Sequence, residues 1–335
     1  MPVEILDILF LIGGLVVLYF GAEAMVKGAS LMALNFGISP LIVGLTVVAF
    51  GTSAPEFVVS FFAVIRESEA ISVGNIVGSN ICNIALILGV SSILAPLSVD
   101  AGSLRREYPI MLVASVLFYL FAYDGKIQHW EGGILFAGII GFVAYNLVAA
   151  RRLSLLAKRA EEDIQHGPEH EDGLSEIAVE LPEQEESSTG RNILYLLGGI
   201  VGLGLGAQLM VEGATDIALA LGISKLTIGI TIIAFGTSLP ELATCAVAAF
   251  RGESDISIGN VVGSNIFNIL FIMGGIPMVF ELPVEPKAIL YDFPIMLGVM
   301  LIAFPIMRHQ YRIDRPKGVF LLLIYISYTI FLFVR

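Results

Sequence analysis

Histidine, cysteine, tryptophan and charge are all scarce in this chain. Of its 335 residues, four are histidine, two are cysteine and one is tryptophan, and 14% are charged. His129, His166, His170 and His309 all fall outside the apolar runs, so no imidazole is available for chemistry at membrane depth. Cys82 and Cys245 each lie in an apolar segment with no second cysteine nearby, which argues against a disulfide framework or a structural zinc site. A soluble chain carries about a quarter charged residues. Here 56% of residues are hydrophobic and the mean hydropathy is +0.88. No basic region precedes the first apolar run, which is also too long for the core of a cleavable signal. We read it as the first membrane helix of a polytopic protein. The net charge of −12 misleads, because residues 151–190 hold eleven acidic against four basic side chains.

What is present is a polar, acid-bearing motif set inside apolar runs, and it occurs twice. Ala49-Phe50-Gly51-Thr52-Ser53-Ala54-Pro55-Glu56 leads on to Gly78-Ser79-Asn80-Ile81-Cys82-Asn83. Ala234-Phe235-Gly236-Thr237-Ser238-Leu239-Pro240-Glu241 leads on to Gly263-Ser264-Asn265-Ile266-Phe267-Asn268. The offset is 185 residues without a gap, and 28 of the 53 positions in 37–89 are identical to their partners in 222–274.

The apolar runs predict ten spans, at 5–33, 38–66, 70–95, 105–123, 131–150, 191–220, 224–251, 255–280, 290–308 and 316–335. The expected fold is all-α: two five-helix repeats, 1–150 and 191–335, joined by an acidic linker over 151–190. Five is odd, so the second repeat enters the membrane inverted, an arrangement common in secondary transporters with sites near the midplane. With the N- and C-termini outside, Arg66, Lys126, Lys225, Lys287 and Arg335 face outward, Lys27 lies within a span, and the other twelve basic residues face the cytoplasm. The expected location is the cell (inner) membrane, multi-pass, with a cytoplasmic linker. That linker has the composition of a solvated segment and no EF-hand spacing.

Taken as helices, Ala49, Thr52, Ser53 and Glu56 share one face, as do Asn75, Ser79 and Asn83. The second copy repeats both faces, with Ala234, Thr237, Ser238 and Glu241 on one and Asn260, Ser264 and Asn268 on the other. Pro55 and Pro240 each remove a backbone donor, and broken backbone at membrane depth survives only where a cavity, ligand or ion satisfies it. Carboxylates, amide oxygens, hydroxyls and freed carbonyls together suit a hard cation, which needs no nitrogen or sulfur ligand. No basic residue lies in either motif to neutralise Glu56 and Glu241, and buried intramembrane acids must be paired, protonated or ion-bound. Two ionised glutamates match the charge of one Ca²⁺, and approximately that of two to three Na⁺. Two protonated glutamates bonded between helices would satisfy burial, but not the duplicated Thr, Ser and Asn. Ser53 and Ser238 have no neighbouring His or Lys base in the motif, so an enzyme is not expected.

The paired Gly-Thr-Ser-x-Pro-Glu and Gly-Ser-Asn-x-x-Asn segments resemble the two alpha repeats of the sodium/calcium exchanger family. The resemblance implies Ca²⁺ exchanged for Na⁺ through alternating access, with three Na⁺ per Ca²⁺ and charge therefore moved. Carried over by position, Glu56 and Glu241 would be the central Ca²⁺ ligands, completed by the Thr52 and Thr237 backbone carbonyls. Ser53, Ser238, Ser79 and Ser264, with the carbonyls of Ala49 and Ala234, would form Na⁺ sites, and Asn83 and Asn268 would line the centre. Relatives often carry an aspartate at one of these two asparagine positions. Here both are neutral, which weakens a potassium-dependent reading. Between the repeats there is also no large calcium-binding domain. A proton-coupled divalent antiporter is the alternative, although the Gly-Asn-x-x-Glu pattern of the proton/calcium branch is absent. Ca²⁺, Na⁺ and the bilayer are the expected partners, with no cofactor, no nucleic acid and function as a monomer. Glu23 and Glu212, in the first and sixth spans, are weaker candidates for gating; they are not equivalent, since Glu23 aligns with Gln208 and Glu212 with Lys27.

Overall fold

The computed structural model describes residues 5–36, 38–65, 69–165, 188–221 and 234–334. Residues 166–187 of the linker, 224–233 of the expected seventh span, and Arg66, Lys225 and Arg335 lie outside the described residues.

The chain is helical almost throughout. In order, the helices are α1 (Ile5–Phe36), α2 (Pro40–Thr52), α3 (Ala54–Ile65), α4 (Ile71–Leu94), α5 (Ala101–Ala122) and α6 (His129–Gln165). They are followed by α7 (Thr189–Ala220), α8 (Ala234–Thr237), α9 (Leu239–Phe250), α10 (Ser254–Gly275), α11 (Phe293–Arg308) and α12 (Arg315–Val334). Among the described residues, seven helices are long and apolar enough to cross a membrane, and the α2–α3 pair makes an eighth crossing if counted as one. α5 spans 22 residues but carries Arg105, Arg106 and Glu107 near its start. The seventh expected span is described only as α8 and α9.

Two expectations are corrected here. The second span is not one helix: it bends by 41° between α2 and α3, where Ser53 leaves helical geometry two residues before Pro55. The apolar part of the fifth span ends at Ala149, close to the expected 150, but its helix does not: the α6 backbone runs to Gln165, through fifteen residues read as linker. That stretch is rich in Leu, Ala, Lys, Arg and Glu, which are strong helix formers.

α4 and α10 form the centre, with 78% and 94% of their membrane-length windows buried, against 28% for α1, α6 and α7. The outer helices turn large apolar side chains outward, among them Leu9, Phe20, Leu194 and Val201, as lipid-facing surfaces do. α1 and α7 pack antiparallel through glycines seven residues apart. A Cβ at Gly14, Gly21 or Gly28 would stand within 2.7 Å of the backbone nitrogen of Met210, Leu203 or Leu196 respectively. A Cβ at Gly199, Gly206 or Gly213 would stand as close to that of Met25, Leu18 or Leu11. Each contact in the second set is one from the first, moved by 185 residues with the helices exchanged.

Two short ladders are the only β-structure among the described residues. β1 (Leu97–Ser98) pairs with β4 (Arg312–Ile313), and β2 (Lys126–Ile127) pairs with β3 (Leu282–Pro283), both antiparallel. Each ties a loop of the first half to one of the second. The turn before β2 uses Gly125 at φ 94°, and the equivalent turn before β4 uses Gln310 at φ 61°.

Candidate functional site

The two motifs meet in the interior, and the meeting follows from how each is broken. Thr52 ends α2 and Glu56 lies in the first turn of α3. Thr237 ends α8 and Glu241 lies in the first turn of α9. A helix C-terminus presents unpaired carbonyls and a helix N-terminus favours a carboxylate, so each break supplies both at one place. Glu56, Glu241, Thr52, Thr237, Ser53, Ser238, Ser79, Ser264, Asn83 and Asn268 are all buried.

Hydrogen bonds cross between the motifs. Ser53 Oγ donates to Glu241 Oε1 at 3.4 Å, and Ser238 Oγ donates to Glu56 Oε1 at 3.3 Å. Asn83 Nδ2 donates to Asn265 Oδ1 at 3.0 Å, and Asn268 Nδ2 to Asn80 Oδ1 at 3.1 Å. In each pair the second bond is the first with the repeats exchanged. Ser238 Oγ also lies 3.5 Å from Ser79 Oγ, and Thr52 Oγ1 lies 3.3 Å from Ser264 Oγ. Thr52 Oγ1 donates to Asn260 Oδ1 at 3.0 Å.

Four buried oxygens at this centre have no hydrogen-bond partner: Glu56 Oε2, Glu241 Oε2, Asn83 Oδ1 and Asn268 Oδ1. An unsatisfied buried acceptor costs roughly 1–3 kcal/mol, more when charged. Two carboxylate and two amide oxygens are of the chemical kind that suits a hard cation. Among the described residues no three His, Cys, Asp or Glu side chains group as a metal site.

The hydrogen bonding beside the two motifs differs between the halves. The Ala49 carbonyl already accepts from Ser53 N–H at 3.0 Å, and Thr52 Oγ1, whose one proton it shares with the closer Asn260 Oδ1, lies 3.3 Å from it. In the second half Ser238 N–H donates to the Phe235 carbonyl at 3.1 Å. Asn75 Nδ2 donates to the Glu56 carbonyl and to Ser60 Oγ, whereas Asn260 Nδ2 donates to Cys245 Sγ.

Comparison with known proteins places this geometry. A family model described as sodium/calcium exchanger protein matches residues 6–148 and 191–334. The chain belongs to the sodium/calcium exchanger family. It is 32% identical over 351 residues to the sodium/calcium exchanger MaX1 of Methanosarcina acetivorans, covering 98% of each chain. It is 37% identical to the inner membrane protein YrbG of Escherichia coli, covering 93% of this chain and 92% of that one. Its structure resembles that of the sodium-calcium exchanger NCX_Mj, with TM-score 0.79, 30% identity and 98% of each chain covered. The family is one of exchangers, a transporter class, and the protein is a multi-pass membrane protein of it.

Three features of this exchanger-family chain escaped sequence reasoning. Asn80 and Asn265 stand inside Gly-Ser-Asn but one position off the 75/79/83 and 260/264/268 faces, and were passed over; their duplication at the 185-residue offset was the available signal. Glu23 pairs with Arg251 across 228 positions of sequence, which no local pattern discloses. Glu212 accepts from Gln208 Nε2 at 2.9 Å on its own helix.

Proposed function

We propose that the protein exchanges Na⁺ for Ca²⁺ across the cell membrane by alternating access, using the site built around Glu56 and Glu241. The observation that carries this reading is the set of four open oxygens, two of them carboxylate, on residues supplied equally by the two motifs. Ca²⁺ and Na⁺ compete for the two glutamates, and a site filled by either is neutral enough to change sides. Ser53, Ser238, Ser79 and Ser264, with the Ala49 and Ala234 carbonyls, serve Na⁺. The Thr52 and Thr237 carbonyls complete the Ca²⁺ shell, and Asn83 and Asn268 line the centre. With three Na⁺ per Ca²⁺ the exchange moves net charge, and an inside-negative potential favours Ca²⁺ extrusion.

The chain is read as ten crossings in two inverted five-helix repeats. The exchange symmetry of the α1–α7 glycine contacts and of the cross-motif hydrogen bonds supports that reading. All the proposed ligands come from one chain, which supports action as a monomer. The two ladders support the orientation. Around β1–β4 lie Arg308, Arg312, Arg315 and Lys317 with Asp100 and Asp314, while around β2–β3 lie Asp124, Glu131, Glu281 and Glu285 with Lys126 and Lys287. The basic ladder then faces the cytoplasm.

The test is uptake of radioactive Ca²⁺ into proteoliposomes loaded with Na⁺, for wild type, Glu56→Gln and Glu241→Gln. Wild-type uptake is expected to require the outward Na⁺ gradient and to respond to membrane potential. Each substitution removes half the site's charge and is expected to weaken Ca²⁺ binding by about 2–5 kcal/mol, roughly 30-fold or more. Uptake indifferent to Na⁺ but driven by a pH gradient would transfer the function to proton exchange.

A further inference from the structure

We propose that Asn80 and Asn265 are positioning residues that decide which atom Asn83 and Asn268 turn toward the transported cation. The inference rests on the ion-exchange reading above. A primary amide has almost the same shape either way round, yet one end accepts and the other donates two N–H bonds. An asparagine beside a cation is a ligand in one orientation and a repulsive group in the other. Nothing in Asn83 or Asn268 itself fixes that choice.

The choice is made farther out. Asn83 Nδ2 is held by Asn265 Oδ1 at 3.0 Å, so Asn83 Oδ1 points elsewhere and is left open. Asn265 in turn is oriented by Met111, whose Sδ accepts from Asn265 Nδ2 at 3.6 Å. A thioether accepts weakly and cannot donate. Reversing the relay would set the Asn265 oxygen against a sulfur lone pair and the Asn83 oxygen against an N–H donor outside the site. The second half repeats every link. Asn268 Nδ2 donates to Asn80 Oδ1 at 3.1 Å, Asn80 Nδ2 donates to Met296 Sδ at 3.8 Å, and Asn268 Oδ1 is open. Met111 and Met296 stand 185 residues apart, as do Asn80 and Asn265. All six side chains are at most 1% exposed, so water does not compete for these bonds. Asn80 and Asn265 make no hydrogen bond to either glutamate, and act through their neighbours.

A thermodynamic cycle in the purified full chain separates positioning from packing. Ca²⁺ affinity is read from the rise in Tm with Ca²⁺, for wild type, Asn265→Leu, Asn83→Ala and the double variant, alongside KM and kcat of uptake. Asn265→Leu is expected to weaken Ca²⁺ affinity about tenfold, raising KM more than it lowers kcat. In the Asn83→Ala background the same change is expected to alter affinity less than twofold, because the group it orients is gone. Met111→Leu, close in volume and easily accommodated, is expected to give a smaller loss with the same dependence on Asn83. Losses that add in the double variants, or an Asn265→Leu that lowers only the ion-free Tm, would overturn the proposal. The cycle is also read with Na⁺ and Sr²⁺. A wild type responding to another cation but not to Ca²⁺ would overturn the calcium reading, with the coupling then judged on that cation. A wild type shifted by no cation would overturn both.

Discussion

At the scale of single residues, the most informative comparisons are between a position and its partner in the other repeat. Gly125 and Gln310 occupy equivalent turns and both adopt positive φ, at 94° and 61°. Left-handed geometry is free for glycine but costs about 1 kcal/mol or more for a residue with a Cβ. Gln310→Gly is therefore expected to stabilise the protein by roughly 0.5–1 kcal/mol and Gly125→Gln to destabilise it by about as much, both read as Tm in detergent. The candidate site residues stand out in the sequence for a related reason. A Glu, Thr, Ser or Asn in an apolar run is a weak sign once and a strong one when it recurs after 185 residues. Amide orientation was not legible, since it depends on Met111 and Met296, whose apolar character gave no reason to read them as acceptors.

At the scale of elements, the α1–α7 contact is closely packed, backbone against backbone, at six glycines. A methyl at Gly199 would stand 2.5 Å from the Met25 backbone nitrogen, while one at neighbouring Gly198 meets nothing within 4 Å. Gly199→Ala is expected to cost about 1–3 kcal/mol by overpacking, and Gly198→Ala to cost nothing measurable. The equivalent pair Gly14→Ala and Gly13→Ala should divide in the same way, because Gly13 is likewise open. Thermal unfolding of the four variants, with Ca²⁺ uptake beside it, checks this. The positions of the helices were readable from apolar length, but their interruptions were not. Pro55 announced a disturbance, yet only the structure places the break at Ser53 and adds π-helical turns at Gly44–Val48 and Cys82–Ile87. Such turns depend on what packs beside the helix, and local sequence does not encode that. α5 shows the opposite case, a 22-residue helix whose Arg105, Arg106 and Glu107 dilute its apolar signal.

At the scale of the whole molecule, orientation is the property most directly open to measurement. Cys82 and Cys245 are both buried, so an impermeant thiol reagent should label the native chain poorly. A cysteine at exposed Asp124, beside the acidic ladder, is expected to react from outside intact cells. One at exposed Gln310, beside the basic ladder, should react only after permeabilisation. The reverse pattern would invert the topology. Two repeats were legible from one offset, but the contacts that weld them join distant residues, such as Leu97 with Ile313, 216 apart, or Ser53 with Glu241, 188 apart. Sequence periodicity is blind to separations of that kind.

The mirrored bonding of Glu56 and Glu241 has one consequence for how the protein works as a machine. A binding centre that presents equivalent chemistry to both faces holds no ratchet: it cannot itself prefer import over export. Departures from mirror symmetry lie in the bonds made by Asn75 and Asn260 beside the centre and, farther out, in the Glu23–Arg251 pair, whose counterpart positions hold Gln208 and Arg66, and in the opposite net charges around the two ladders. Features of that kind set where the molecule rests and how quickly it answers each side, while the direction of net flow belongs to the gradients that the cell maintains.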